Sequence, residues 1–403
     1  MQNVRGLLKD PGAKEHARLR VLRTVMARPG HQSELAKRAE VANATVSDAV
    51  RALERSGVVQ VLRSGRESYV SLAPTEGLAV GVEVGFAKSV IVGRRFHLSH
   101  EQAASAVLPV GATDGLGVWV PRVVDRIMEL VAETGDEPLD LGTVGLGIPR
   151  MVDPRNLALT PPALPPWREG DDPAGALQAG LHEALAARAA RRPFPRVLMD
   201  NDANVGVLAE STYRYMGTEI VLFVKASTGI GAGLFVGGKL LRGRAGVAGE
   251  IGHTVIDPAG AFCRCGGRGC LETVIGSAAL LAQAEAVFSG EDPVRTLAGL
   301  VEAALAGDAV GRRVIKEAGL LLGRAVGNFC NLINPDVVVI GGTLAGAGEL
   351  MLEPCRAGLR GAAMAAAYQE GFQLVSSGLE HGIAHGALLL GIAGTTYPTG
   401  SSR

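Results

Sequence analysis

Residues 250–272 read EIGHTVIDPAGAFCRCGGRGCLE, and three of the chain's five cysteines fall within eight of these positions. Cys263, Cys265 and Cys270 offer three thiolates, and His253, ten residues upstream of Cys263, offers an imidazole. Three sulfur donors and one nitrogen complete a tetrahedral zinc shell with no open position, which is the pattern of a structural site. Gly266, Gly267 and Gly269 let the backbone curl tightly enough for neighbouring thiolates to converge. The competing reading is a reduced glycine-rich loop whose cysteines bind nothing. Cys330 and Cys355 stand apart in apolar surroundings and read as buried thiols. In a chain read as leaderless, clustered cysteines are metal ligands before they are disulfides.

Outward from this loop, the 403 residues suggest two or three domains, and a hydrophobic content of 47% is enough to bury sizeable cores. No apolar run reaches the ~18–20 residues a membrane span needs, and the start lacks a signal-peptide core, so a soluble cytoplasmic protein is expected. The net charge of zero hides an asymmetry. Residues 1–72 hold 13 Lys and Arg against 7 Asp and Glu, while the remainder holds 27 against 33. A basic module joined to a mildly acidic body suggests a head that binds a polyanion.

The head reads as three helices and a hairpin. Leu19, Leu22, Val25 and Met26 share one face of a helix near 14–28 that Pro29-Gly30 ends. Ser33 is expected to cap a short helix carrying Leu35, Ala36 and Ala39, and Asn43 to cap a third with Val46, Ala49, Val50 and Leu53 facing inward. Strands at Val58–Leu62 and Tyr69–Leu72 flank a basic tip. That order is a winged helix-turn-helix over residues 1–73. From Leu78 onward, glycine-punctuated strands alternate with helices near 117–134, 173–190, 276–289, 294–306 and 308–332, as in an α/β fold. Ala79–Gly93 and Ile220–Gly243 look like related hairpins, and Gly341-Gly342 turns the chain after the buried strand Val337–Ile340. Thr160–Gly175, rich in Pro and Gly, is either a loop at a cleft or a surface excursion.

Glu250-Ile-Gly-His253 followed by the cysteine loop resembles the signature of the ROK family of repressors, open reading frames and sugar kinases. Four further segments match in the family's order: Gly145-Leu-Gly-Ile-Pro149, Asn201-Asp202-Ala-Asn204, Ser227–Gly233 and Val337–Gly342, and the likeness covers roughly residues 79–395. The winged helix resembles that of the family's repressor branch. The resemblance implies an actin-like (ribonuclease H-like) two-lobe body: a first lobe over 79–197 completed by a helix near 380–397, and a second over 198–379 with the zinc loop. It also implies that Asn201, Asp202, Glu250, His253 and Glu272 surround a sugar or sugar phosphate, with His253 sharing its two ring nitrogens between zinc and sugar. Charged acceptors suit neighbouring hydroxyls because their hydrogen bonds are the stronger ones. Taken singly, each carboxylate reads as a solvated charge or a helix cap.

In the family's kinases the residue matching Asp202 is the base that deprotonates the attacking hydroxyl. Their first hairpin turn reads Asp-x-Gly-Gly-Thr-Lys, whereas this chain has Glu83-Val-Gly85-Phe86-Ala87-Lys88. A ring at Phe86 obstructs the approach of backbone amides to phosphate, Ala87 removes a hydroxyl, and Glu83 displaces a carboxylate by a methylene. Misplacement by ~1 Å costs on the order of 100-fold in rate, so ATP chemistry is expected to be lost and the chain not to be an enzyme. The second turn, Ser227–Gly233, is better preserved and leaves nucleotide affinity open.

The DNA-reading expectation rests on Asn43, Thr45, Ser47 and Arg51 on the outer face of the third helix, with Arg63 and Arg66 of the wing entering a minor groove. Asp48 on that face repels phosphate unless it accepts from a cytosine amine. The chain therefore reads as a sugar-responsive DNA-binding regulator, most simply a repressor, acting as a homodimer or homotetramer on a two-fold operator. The alternatives are an ATP-dependent sugar kinase that also binds DNA, and a zinc-stabilised sugar-binding protein whose head serves assembly.

Overall fold

A computed structural model describes residues 13–64, 67–73, 77–96, 98–133, 141–152, 167, 170–188, 196–285 and 295–394. The chain forms two compact units, Met1–Gly217 with His381–Arg403, and Thr218–Glu380. No helix among the described residues is long and apolar enough to cross a membrane.

The first unit opens with α1 (Ala13–Ala27), β1 (Gly30–His31), α2 (Gln32–Ala39), α3 (Asn43–Arg55), β2 (Val59–Ser64) and β3 (Glu67–Leu72), the three strands lying in the order β1-β3-β2. The apolar stripe of α1 is buried as its spacing requires, as are Val46, Ala49, Val50 and Leu53 of α3. Two caps differ from expectation. His31, not Ser33, precedes α2, and its amide donates to the Glu34 carboxylate at 3.3 Å. Ala42, not Asn43, precedes α3, because its extended backbone already offers its carbonyl to the amide of Val46.

The body of this unit is a five-stranded sheet in the order β6-β5-β4-β7-β8, formed by β4 (Leu78–Val84), β5 (Ser89–Arg95), β6 (Ala104–Leu108), β7 (Leu141–Ile148) and β8 (Val197–Asn201). Strands β4 to β6 are antiparallel neighbours, while β7 and β8 join in parallel. Alternate residues Val80, Val82, Val144 and Leu146 face α4 (Leu116–Glu133) and α5 (Pro173–Ala187). The opposite face receives α12 (Gly382–Gly394) at backbone contact. A methyl on Gly145 would lie 1.7 Å from the Ala387 carbonyl, and one on Gly81 2.0 Å from that of Ala384. Because β8 pairs with β7 and leads directly into α6 (Asp202–Tyr213), residues 198–217 belong to the first unit. The expected boundary at 197/198 therefore moves to 217/218.

The second unit repeats the plan. Strands β9 (Ile220–Ala226), β10 (Ile230–Val236), β11 (Lys239–Leu240), β12 (Val337–Gly341) and β13 (Gln373–Ser376) lie in the order β11-β10-β9-β12-β13, again a hairpin extended by parallel strands. Short helices α7 (Glu272–Ile275), α8 (Ser277–Glu285) and α9 (Leu297–Leu305) pack with α10 (Ala309–Ile333) and α11 (Glu349–Ala362). Cys330 and Cys355 are buried between the last two, as their apolar neighbourhoods imply.

The head and the first sheet share one hydrophobic core, in which Val25, Val50 and Leu72 of the head join Val92, Phe96, Leu388 and Leu389. Polar groups lie at this junction. Arg94, 1% exposed, donates to the Met26 carbonyl at 2.6 Å and also to that of Leu98. His100 stacks on Tyr213 with ring centroids 4.2 Å apart, and His385 meets Tyr213 edge-on at 6.0 Å. Burial, helped by the charges of His100, Arg94 and His381, pushes His385 down to about 4.

A histidine neutral in the folded state but protonated at ~6.5 when unfolded withdraws its stability as pH falls through that window. Stability should therefore decline between about pH 6.5 and 4, with His385 contributing about 2–3 kcal/mol of the loss. Urea denaturation of His385→Gln across that range should give a flatter pH dependence than the parent chain. Parallel curves would remove His385 as the cause.

Candidate functional site

Both ends of the cysteine loop are tied by short backbone pairings within the second unit. Val255 bridges Cys270, Phe262 bridges Arg268, and the amides of Ile256 and Asp257 both donate to the Gly269 carbonyl. Gly269 has φ +69°, and a methyl there would lie 1.5 Å from the Asp257 carbonyl, so the return of the chain requires glycine. This folding brings His253, Cys263, Cys265 and Cys270 together, their ligand atoms all within 4.8 Å of one another. Cys263 Sγ lies 3.5 Å from His253 Nδ1, and Cys265 Sγ lies 3.6 Å from Cys270 Sγ.

A tetrahedron with metal–sulfur bonds of about 2.3 Å has edges of about 3.8 Å, so the four donors already stand at the spacing of a metal shell. The set could hold a metal ion. Burial, followed by contacts with Cys265 and Cys263, pushes the Cys270 thiol up to about 12. Crowding three thiolates is unfavourable until a cation shares their charge.

Around this centre the sequence-expected carboxylates have distinct places. His253 turns Nδ1 toward Cys263 and leaves Nε2 3.7 Å from Glu250 Oε2. Burial holds the imidazole below its ordinary pKa, with Glu272 opposing. The Glu272 carboxylate has protein partners at both oxygens. Oε1 pairs with Arg264 at 2.9 Å, and Oε2 accepts from the Ile230 amide at 3.0 Å. Glu272 thus ties the cysteine loop to the β9–β10 hairpin, and its partner Arg264 lies between Cys263 and Cys265 with no sign in the sequence of this pairing. In the adjoining turn, Ser227 Oγ meets Thr343 Oγ1 at 2.8 Å, and a methyl on Gly229 would lie 2.4 Å from Glu272 Oε2.

The remaining expected ligands lie in the first unit, where β8 passes into α6. Asn201 caps that helix, its Oδ1 accepting from the amides of Ala203 and Asn204 at 2.9 and 3.4 Å. Its Nδ2 donates to the Arg150 carbonyl at 3.0 Å. Asp202 follows as the first helical residue, buried, where the positive end of the helix dipole favours a carboxylate. Asp200, which sequence reasoning missed, accepts from the Asn201 amide and from Asn204 Nδ2, each at 2.8 Å, and fixes the junction.

The divergent turn after β4 is also held from its far side. The Gly85 carbonyl accepts from the Ala112 amide at 2.9 Å, and that of Phe86 accepts from the amide and hydroxyl of Thr113 at 2.9 and 2.7 Å. Phe86 is half-buried, and Ala87 and Lys88 are exposed.

On the head, Asn43 is exposed and Thr45 half-buried on α3. Ser47 does not present a free hydroxyl, because it donates to Gln32 Oε1 at 3.1 Å and fastens α2 to α3. The Asp48 carboxylate, expected to repel phosphate, pairs with Arg51 one turn later, at 2.5 Å. Arg63 forms a two-pronged pair with Glu54 at 2.8 and 3.1 Å. Both arginines are exposed and would exchange these partners on meeting phosphate. Arg66 lies outside the described residues.

Known proteins share this architecture. The ROK family matches residues 118–393. A glucokinase of Thermotoga maritima is 32% identical over 247 residues, covering 58% of this chain and 74% of its own. The Escherichia coli DNA-binding transcriptional dual regulator NagC is 26% identical over 388 residues, covering 90% of this chain and 88% of its own. The crystal structure of a ROK family transcriptional regulator, a homologue of the E. coli Mlc protein, superposes with a TM-score of 0.66 at 21% identity, covering 94% of this chain and 99% of that one.

If the four clustered donors hold a metal, the purified chain should carry a single thiophilic ion. Cys265→Ser should lose it, and chelation should lower the thermal midpoint by several degrees. Metal analysis and melting before and after chelation test this. No bound metal and an unchanged midpoint would contradict it.

Proposed function

This chain belongs to the ROK family, and from that premise we propose that it is a sugar-responsive, DNA-binding transcriptional regulator of the repressor type. The observation that carries this reading is α6. Asn201 caps it and Asp202 opens it, and its last residue, Tyr213, packs half-buried against His100 and His385 on the core that the body shares with the head. Twelve residues at 1.5 Å each span about 18 Å. A ligand that shifts the cap of this helix acts on a rigid rod whose other end bears on the winged head.

In this reading Asn201, Asp202, Glu250, His253 and Glu272 are the residues that take the hydroxyls of a sugar or sugar phosphate effector. Asn201 and Glu272 exchange present protein partners for ligand. Cys263, Cys265, Cys270 and the Nδ1 of His253 would hold a structural zinc ion, which would fix the imidazole while Nε2 stays beside Glu250 for the ligand. Two or four copies of the chain present paired heads to a two-fold operator in the cytoplasm, with Thr45 and Arg51 on α3 and Arg63 and Arg66 on the wing meeting DNA. Effector binding lowers operator affinity. The NagC and Mlc-homologue names of similar proteins support the same reading.

A second reading, a sugar kinase that also binds DNA, is favoured by the likeness to the Thermotoga glucokinase and by the preserved Asp202. Against it stands the turn at Gly85–Lys88, where a half-buried Phe86 replaces the glycine a phosphate cradle needs.

Gel-shift titration on the chain's own upstream DNA at low salt should show binding that a matching sugar weakens by about 5–150-fold. Arg51→Ala should reduce it by about 5–100-fold with or without sugar. Absence of any shift at low salt would contradict the regulator. Sugar phosphorylation from ATP that vanishes in Asp202→Asn would establish the kinase instead.

A further inference from the structure

Arg150 follows β7 and is 5% exposed, yet its Nε and Nη1 have no hydrogen-bond partner. Three of the five N–H bonds of a guanidinium are therefore unmade. Asp171 contributes a countercharge without reaching either nitrogen. Buried charges in folded proteins are paired or ligand-bound, because the desolvated cation otherwise has nothing to replace its water. The backbone of the same residue is fixed at the candidate site, its carbonyl accepting from Asn201 Nδ2 at 3.0 Å. Asn201 in turn caps α6, immediately before the buried Asp202.

We propose that Arg150 is an anion-recognition residue, and that the effector is a monosaccharide bearing a phosphate or carboxylate group. The inference rests on the sugar reading above and narrows it. Asn201 and Asp202 are suited to hydroxyls, since Asp202 repels an anion. The guanidinium of the residue whose carbonyl holds Asn201 supplies what a neutral sugar leaves unused: a planar set of donors matched to phosphate or carboxylate oxygens. A neutral sugar would leave those donors orphaned, whereas an anionic one satisfies them and neutralises the charge.

The test is calorimetric titration of the full chain with glucose, mannose and N-acetylglucosamine, their 6-phosphates, glucuronate and inorganic phosphate. At least one anionic sugar should bind 30-fold or more tighter than its neutral parent, and inorganic phosphate alone should bind far more weakly than that sugar. Arg150→Gln should abolish the preference while leaving the neutral parent's affinity unchanged, and Arg150→Lys should keep part of it. Melting without ligand separates this role from a structural one: removing an unpaired buried charge leaves the midpoint unchanged or raises it, whereas loss of a structural arginine lowers it. Neutral sugars binding as tightly as their anionic forms, or a preference intact in Arg150→Gln, would overturn the assignment and leave the sugar reading standing. A chain that binds none of the panel would overturn both.

Discussion

A guanidinium with almost no exposure, Arg94, reaches from the first sheet to the Met26 carbonyl near the end of α1 and fastens the winged head to the body. Everything proposed about regulation depends on that fastening. A head on a loose tether would leave operator affinity indifferent to what happens in the body. Here the head shares an apolar core with β5 and α12, and rings of His100, Tyr213 and His385 lie where α1, α6 and α12 come together. Close-packed interiors respond to strain by switching between discrete packings, so a shift of α6 is felt at α1.

The two units show how one plan serves two chemistries. Each is a hairpin extended by parallel strands. In the first, glycines at 81 and 145 admit α12 to backbone contact, and this is the helix that also underlies the head. In the second, the corresponding hairpin is braced by Glu272, which belongs to the cysteine loop. The first unit is thus built around a junction, and the second around a tied loop.

Much of this was legible in the sequence. Helical spacing placed the core of α1 and α3, paired glycine turns announced two related hairpins, and the clustered cysteines with His253 marked the four converging donors. What escaped had physical reasons. Ser33 and Asn43 are good caps by residue type, but backbone geometry put His31 and Ala42 at the cap positions. Pairs such as Arg51 with Asp48 and Arg63 with Glu54 arise from side-chain reach, which a charge count does not see. The boundary fell late because β8 completes the first sheet only through tertiary pairing with β7. Arg94 and Arg150 sit in no motif, and Arg264, although inside the cysteine motif, is singled out only by its pair with Glu272; burial and partnership alone distinguish them from solvated arginines.

The central claim is that α6 couples the effector cap at Asn201 to the head through the ring cluster at its far end. Its most direct measurement is the operator affinity of Tyr213→Leu, with and without saturating effector. That change preserves apolar burial but removes the stacked ring. The account predicts affinity within about 3-fold of the parent without effector, and an effector response reduced to nearly nothing. An undiminished response in a folded Tyr213→Leu chain would contradict it.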